Sequence, residues 1–285
     1  MQRFTHDPAE DVRLAAAAKN GDAEALGSLV RRHYAWVLHI AQRMLWNRAD
    51  AEDATQEILT TAVTKLGSFE GWSEFRTWLY RIAANHLVDR CRSAKSFDDV
   101  ARTLDEMPDR EPPGPIGTHV ETAMLIEEAK IACTTGMLLC LEPRRRLAFL
   151  LGELLEVTAD VGAEMLGTSP ANFRQILSRA RRELYGFLHR QCGLVNEEHR
   201  CRCALKTAGF IERGFVSPDR LQFVTAGLAK PSAAAAARVH DIRDLDRRYA
   251  EIFREQPLLS TEDEAARLSD LLRLTGVQHS LELDQ

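Results

Sequence analysis

Long apolar runs are missing from this chain, and their absence is the first constraint. The longest such stretch, RLAFLLGELLEV, carries charges and is too short to cross a bilayer. The opening MQRFTHDPAEDVR lacks the apolar centre of a signal peptide, so a cytoplasmic protein with no membrane partner is expected. A basic excess is missing too: 37 Lys and Arg stand against 42 Asp and Glu, a net charge of -5. A protein that grips DNA unaided normally carries many surplus cations to neutralise phosphates. Any DNA binding here must therefore be local, or must draw most of its affinity from a partner. No paired catalytic carboxylates, nucleophile motif or glycine-rich phosphate loop stands out, and the nine histidines are scattered, so an enzyme is not expected. Six cysteines in a cytosolic chain of 285 residues do not suggest a disulfide framework.

What the chain does have is Ala, Leu and helical periodicity. Apolar residues recur at helical spacing almost throughout, and no stretch alternates as a strand would, which predicts an all-α fold. The length suits two or three small domains. Helices fill residues 12 to 91, broken at Asn20-Gly21-Asp22 and Asn47-Arg48-Ala49-Asp50, with Asp22 and Asp50 as expected caps. The segment DEMPDREPPGP, rich in proline and poor in apolar periodicity, reads as a linker. A helix is expected from near Val120 to Cys140, stopping before Pro143, and a compact helical unit from Pro143 to His189. Two more helices are predicted near the end. One covers Ser232 to Glu255, with Val239, Ile242, Leu245, Tyr249 and Ile252 inward. The other follows the capping box Thr261-Glu262-Asp263-Glu264 and buries Leu268, Leu271 and Leu272.

The segment TADVGAEMLGTSPANFRQILSRARREL has the parts of a helix-turn-helix. Ala163 is small where the two helices touch, and Gly167 turns the chain. Ser169 then Pro170 start the second helix, which Phe173, Ile176, Leu177 and Ala180 seat. With Leu177 inward, Asn172, Gln175, Arg179 and Arg182 fall on the outer face, flanked by Arg174 and Arg181. Asn and Gln can pair with adenine and Arg with guanine, while flanking arginines clamp phosphates. A plain two-helix corner with solvated arginines is the bland alternative.

Upstream, DAEDATQEILTTAVTKLGSFEGWSEFRTWLYRIAANHLVDRCR ends in a helix with Phe75, Leu79, Ile82, Ala83 and Leu87 inward. Thr77, Arg81, Asn85, Val88 and Arg92 share the opposite face. The loop Phe69-Glu70-Gly71-Trp72 and Trp78 add aromatic surface of the kind unpaired bases stack on. From the residues alone, Trp72 and Trp78 read more naturally as core.

The stretches GDAEALGSLVRRHYAWVLHIAQRML, DAEDATQE and FRTWLYRIAANHLVDRCR together resemble the second conserved region of extracytoplasmic-function (ECF) sigma factors of the sigma-70 family. LEPRRRLAFLLGELLEVTADVGAEMLGTSPANFRQILSRARREL resembles their fourth region. The resemblance implies a region 2 domain over 1–95, a linker over 96–119 and a region 4 domain over 120–190. It also implies that Asp50, Asp53, Gln56 and Glu57 dock on the clamp helices of the largest subunit of core RNA polymerase, although the residues alone read as a solvated acidic face. Region 4 in the family meets the flap of the second-largest subunit. Trp72, Arg76, Thr77, Trp78, Arg81, Asn85 and Arg92 would open and read the minus-10 promoter element. Ser169, Asn172, Arg174, Gln175, Arg179, Arg181 and Arg182 would read the minus-35 element as duplex. An anti-sigma factor or an appended domain usually restrains such proteins. A stand-alone helix-turn-helix regulator is the runner-up, but it leaves the N-terminal segments without a role.

The chain continues past the minimal family plan through a cysteine-bearing stretch, 191–228, and a helical segment, 229–285. Cys192, Cys201 and Cys203 with His199 form a set compatible with a structural zinc ion, His189 being an alternative fourth ligand. Free reduced thiols and a redox or metal sensor are the other readings. Cys91, Cys133 and Cys140 fall at core positions of helices. The extension is expected either to regulate the factor in cis or to act as a stabilising appendage.

Overall fold

The computed structural model describes residues 7–91, 96–112, 122–196, 198–219 and 221, together with 250, 253 and 265–270. Among them there are helices and turns but no strand, as the periodicity predicts. The chain divides into two compact units. One comprises residues 2–92, 157–175 and 259–285, the other 93–156 and 176–258, with residue 1.

The first unit is built on α1 (Pro8–Lys19), α2 (Ala23–Leu45), α3 (Arg48–Thr64) and α4 (Phe75–Arg90). Asp7 caps α1 and Asp22 caps α2, each carboxylate accepting two backbone N–H groups that would otherwise lack partners. At α3 the cap is Asn47, which accepts from Ala49 and Asp50; the expected cap, Asp50, sits inside the first turn instead. Four residues of turn chemistry allow the helix to begin earlier, and a carboxylate in the first turn still suits the helix dipole. Leu26, Leu38, Tyr34, Met44, Ile58, Leu66, Leu79 and Leu87 are fully buried, each contributing about 1.5–3 kcal/mol of burial. Asp11 lies inside this core with its carboxylate 2.9 Å from Arg32 Nε and 3.0 Å from His33 Nε2. The unit also contains α8 (Ala159–Leu166) and the start of α9 (Pro170–Gln191), and Arg31 donates to Ser269 Oγ at 2.9 Å.

The second unit begins with a departure from the sequence expectation. Residues 97–106 of the expected linker form a helix, α5 (Phe97–Glu106). Ser96 caps it in reciprocal fashion: its Oγ accepts from the Asp99 backbone at 3.0 Å and donates to the Asp99 carboxylate at 2.7 Å. That local signal outweighs the prolines that follow. Next come α6 (Thr122–Leu138) and α7 (Pro143–Phe149), a π-helical turn over Leu150–Leu154, and the remainder of α9. The unit closes on α10 (Cys203–Glu212), which packs on α6. Phe253 is fully buried against Phe149, ring centroids 5.5 Å apart. Of the predicted C-terminal helices, only Ala250, Phe253 and residues 265–270 are described; all are helical, and Leu268 is buried. The inward face from Val239 to Ile252, the capping box at 261–264, Leu271 and Leu272 lie outside the described residues.

Candidate nucleic-acid interface

The helix-turn-helix forms as its chemistry dictates. Thr158 caps α8, and Gly167 ends it in the left-handed region (φ 59°), a conformation that costs a side chain about 1–2 kcal/mol. Thr168 N–H returns to the Ala163 carbonyl at 2.9 Å, and Ser169 Oγ accepts from Asn172 N–H at 3.2 Å. Ala163 is buried as expected. The tightest approach between the helices is one residue earlier, where a Cβ on Gly162 would collide with the Phe173 ring.

Asn172, Arg174, Gln175, Arg179 and Arg182 are exposed along α9, while Phe173, Leu177 and Ala180 are buried. The outer face is therefore free to enter a groove. Asn172 Nδ2 donates to Thr168 Oγ1 at 2.6 Å, which orients the amide ahead of any base contact. Arg181 departs from expectation. Its guanidinium is bound to Glu153, with Nε 2.6 Å from Oε1 and a second, shorter contact from Nη2. The π-helical turn carries Glu153 inward, where it is 6% exposed, and Tyr185 Oη donates to it at 3.3 Å. A buried carboxylate needs a counter-charge, and Arg181 supplies it to Glu153.

The aromatic loop before α4 has a buried foot and an exposed tip. Phe69 is buried, with its ring 5.3 Å from Phe75 and 5.5 Å from Trp78, and Phe75 and Trp78 are also 5.5 Å apart. The Lys19 ammonium holds the Phe69 carbonyl and lies 5.7 Å from its ring. Trp72, at the tip, is 90% exposed and donates to Glu70 Oε2 at 2.5 Å. The core reading of Trp72 is thus overturned, because the loop closes on Phe69 and leaves the indole outside. Trp78 is half-buried in the cluster.

Arg81 and Asn85 are exposed on α4, as the periodicity requires. Thr77 is buried with Phe75, since the first turn is drawn into the core. Arg76 also turns inward: its guanidinium lies 5.6 Å from the Trp36 ring and 5.1 Å from Tyr80, and it donates to Tyr80 Oη. Burial pushes the Tyr80 phenol well above its ordinary value, so it stays a neutral partner. Arg92 lies outside the described residues. Of the described residues expected to meet the minus-10 element, Trp72, Arg81 and Asn85 are exposed, with Trp78 half-buried beneath.

Asp50, Asp53, Gln56 and Glu57 are all exposed on one side of α3. Glu57 is shared with α4: Arg90 Nη1 is 2.8 Å from Oε1 and His86 Nε2 is 3.1 Å from Oε2. Asp50 and Asp53 carry no such tie at this range and form the open part of the acidic face, their charge reaching Arg90 only at a distance.

The zinc expectation meets a different arrangement. Among the described residues, no three His, Cys, Asp or Glu side chains are grouped so as to hold a metal ion. His199 Nδ1 accepts from the Cys201 N–H at 3.2 Å and is thereby occupied. Gly193 packs so tightly on the following turn that a Cβ there would strike the Cys201 carbonyl. The turn sets the Cys192, Cys201 and Cys203 thiols within electrostatic range of one another. His189 is exposed at the end of α9. The thiols instead share an apolar neighbourhood with Cys133 of α6, which sequence separation hid. Burial raises all four thiols, Cys192 to about 11 and Cys203 to about 12. None of the six cysteines forms a disulfide, and Cys91 and Cys133 are half-buried while Cys140 is buried.

An all-helical chain that presents a helix-turn-helix, an exposed tryptophan beside a second helix and an exposed acidic face has the parts of a modular transcription factor. Comparison with known proteins narrows this class. The model for Sigma-70 region 2 matches residues 29–97, and that for Sigma-70, region 4 matches 131–184. RNA polymerase sigma factor NccH of Alcaligenes xylosoxydans xylosoxydans is 30% identical over 197 residues, spanning 64% of this chain and 96% of that protein. ECF RNA polymerase sigma factor SigM of Mycobacterium tuberculosis is 29% identical over 174 residues, 61% of this chain and 82% of the relative. The solved structure of CnrH in complex with the cytosolic domain of CnrY aligns with 64% of this chain and 98% of its own, at 24% identity and a TM-score of 0.44. The chain belongs to the sigma-70 family of RNA polymerase sigma factors, in its ECF branch. Among its described residues, no helix is long and apolar enough to cross a membrane.

Proposed function

We infer that this sigma factor binds core RNA polymerase through α3, reads the minus-10 element with the aromatic loop and α4, and reads the minus-35 element with α9. It catalyses no reaction of its own. The observation that carries the reading is the simultaneous outward display of two unlike surfaces. The Asp50, Asp53 and Gln56 face suits a cationic protein partner, and the Asn172, Gln175, Arg179 and Arg182 face suits base edges. The first gives the chain a route to polymerase and the second a route to promoter DNA. A stand-alone repressor would use only the second.

Reconstituted transcription tests this directly. Core polymerase plus the full-length chain should initiate at a discrete set of promoters from a genomic library, and core alone should not. Tight sequence-specific binding without polymerase, coupled to no initiation with it, would return the chain to the stand-alone regulators.

A further inference from the structure

The reading face of α9 is not held uniformly. Asn172 lies in the first turn of the helix, where helix-turn-helix proteins bring side chains to base edges. Its backbone is fixed by Ser169, whose Oγ accepts the Asn172 N–H at 3.2 Å. Its side chain is fixed separately by Thr168, whose Oγ1 accepts from Nδ2 at 2.6 Å. Thr168 is itself anchored, because its N–H reaches the Ala163 carbonyl at 2.9 Å just after the left-handed Gly167. Gln175, Arg179 and Arg182 are exposed, and among the described residues no such tie holds their side chains.

The Thr168 bond determines which atoms of the amide remain for a ligand. A carboxamide carries two N–H donors and one carbonyl acceptor. With one N–H given to Thr168, Asn172 keeps Oδ1 and a single N–H. Adenine shows an N6 amino donor beside the N7 acceptor in the major groove, the complement of that pair. Guanine shows two acceptors, N7 and O6, so Oδ1 would face one of them with no proton between. Cytosine offers only a donor and thymine only an acceptor beside its methyl group, so each satisfies half of the amide. The reverse orientation, with the Thr168 hydroxyl donating to Oδ1, would leave two N–H groups and favour guanine.

We propose that Thr168 is a positioning residue for minus-35 recognition, holding the Asn172 amide in the orientation that selects adenine. The inference rests on the sigma reading above and sharpens it to one base. An amide fixed before binding avoids the ordering cost that a long free side chain such as Gln175 meets in the groove. Thr168 itself is half-buried in the turn and acts through Asn172 without needing a base contact of its own.

The test is selection from duplexes randomised across the minus-35 element, bound by the full-length chain with core polymerase. Asn172→Ala marks the base pair that this side chain reads. There the wild type should select adenine over guanine by roughly tenfold. Thr168→Val keeps the shape and loses the hydroxyl; it should lower that preference by roughly threefold or more. The pairs marked by Gln175→Ala and Arg179→Ala should keep theirs, and Thr168→Ser should restore the lost preference. Guanine at the marked pair would reveal the reverse amide orientation and overturn the proposal. A preference that Thr168→Val leaves intact overturns it too, as does the absence of any pair that responds to Asn172→Ala. A loss spread evenly over all minus-35 pairs, with a lowered melting temperature, makes Thr168 a structural residue only and also overturns it. If wild-type protein with core polymerase selects no minus-35 sequence at all, the sigma reading fails instead.

Discussion

Asp11 shows how much one buried charge can hold in place. Its carboxylate joins α1 to Arg32 and His33 of α2 and has no exposed surface. Burial alone would raise its pKa, but the His33 hydrogen bond and charge, followed by those of Arg32, hold it below the usual carboxylate value. A carboxyl held down in the folded state stabilises the fold above its unfolded pKa, and that contribution is lost as pH falls through the folded value. Asp11→Asn should therefore cost about 3 kcal/mol near neutral pH. In urea titrations the gap to wild type should narrow as pH falls below the ordinary aspartate range and through the lower folded value. A gap independent of pH would mean that packing, not charge, is the cause. Arg181 and Arg179 make a second contrast two residues apart. Arg179→Ala should relax minus-35 base preference by about 1–3 kcal/mol, whereas Arg181→Ala should lower the melting temperature and leave base preference unchanged. The exposure of Arg179 was legible from spacing. The role of Arg181 was not, because its partner Glu153 is 28 residues away and reaches it through a π-helical turn that no local pattern announces.

At the scale of the element, legibility followed the strength of the local signal. The helix-turn-helix was readable because Gly167, Ser169 and Pro170 each dictate backbone geometry at one place. α5 is hard to read from sequence although Ser96 and Asp99 encode its start, since prolines follow it closely and Lys206 of α10 supplies the partners at its end. Cys133 escaped for the same reason: only the packing of α6 on α10 brings it near the later cysteines. The acidic face of α3 was legible as a face but not as a graded one. Glu57 is already paired on an exposed surface, where such pairs are worth little, while Asp50 and Asp53 are more open. Asp50→Lys with Asp53→Lys should therefore weaken core polymerase binding by about tenfold or more, most strongly at low salt, while Glu57→Gln should change it less. Equal losses from both changes would refute the gradation. The 192–203 turn makes a separate prediction. Protein purified without a His-tag should carry well under one zinc per chain, and chelation should leave its helicity unchanged. Stoichiometric zinc with unfolding on chelation would require the turn to reorganise around the metal.

The whole molecule is acidic, with a net charge of -5, yet it presents a basic reading helix. Counterion release from a few arginines cannot offset the repulsion of a surplus of carboxylates from a polyanion. Free in solution, the factor should hold promoter and scrambled duplexes alike, in the weak range typical of nonspecific contacts, about 10⁻⁴–10⁻⁶ M. On the proposed reading, core polymerase adds the missing cationic surface, and the same α9 contacts should become discriminating once the acidic α3 face is docked. Fluorescence anisotropy with both duplexes, at low and physiological salt, separates the two regimes. Without core, binding should weaken steeply with salt and show no preference between the duplexes. With core, a preference should emerge that Gln175→Ala or Arg179→Ala reduces and Arg181→Ala does not. A sequence preference of the isolated chain equal to that of the complex would show that α9 needs no help from polymerase, and the charge argument would then be wrong.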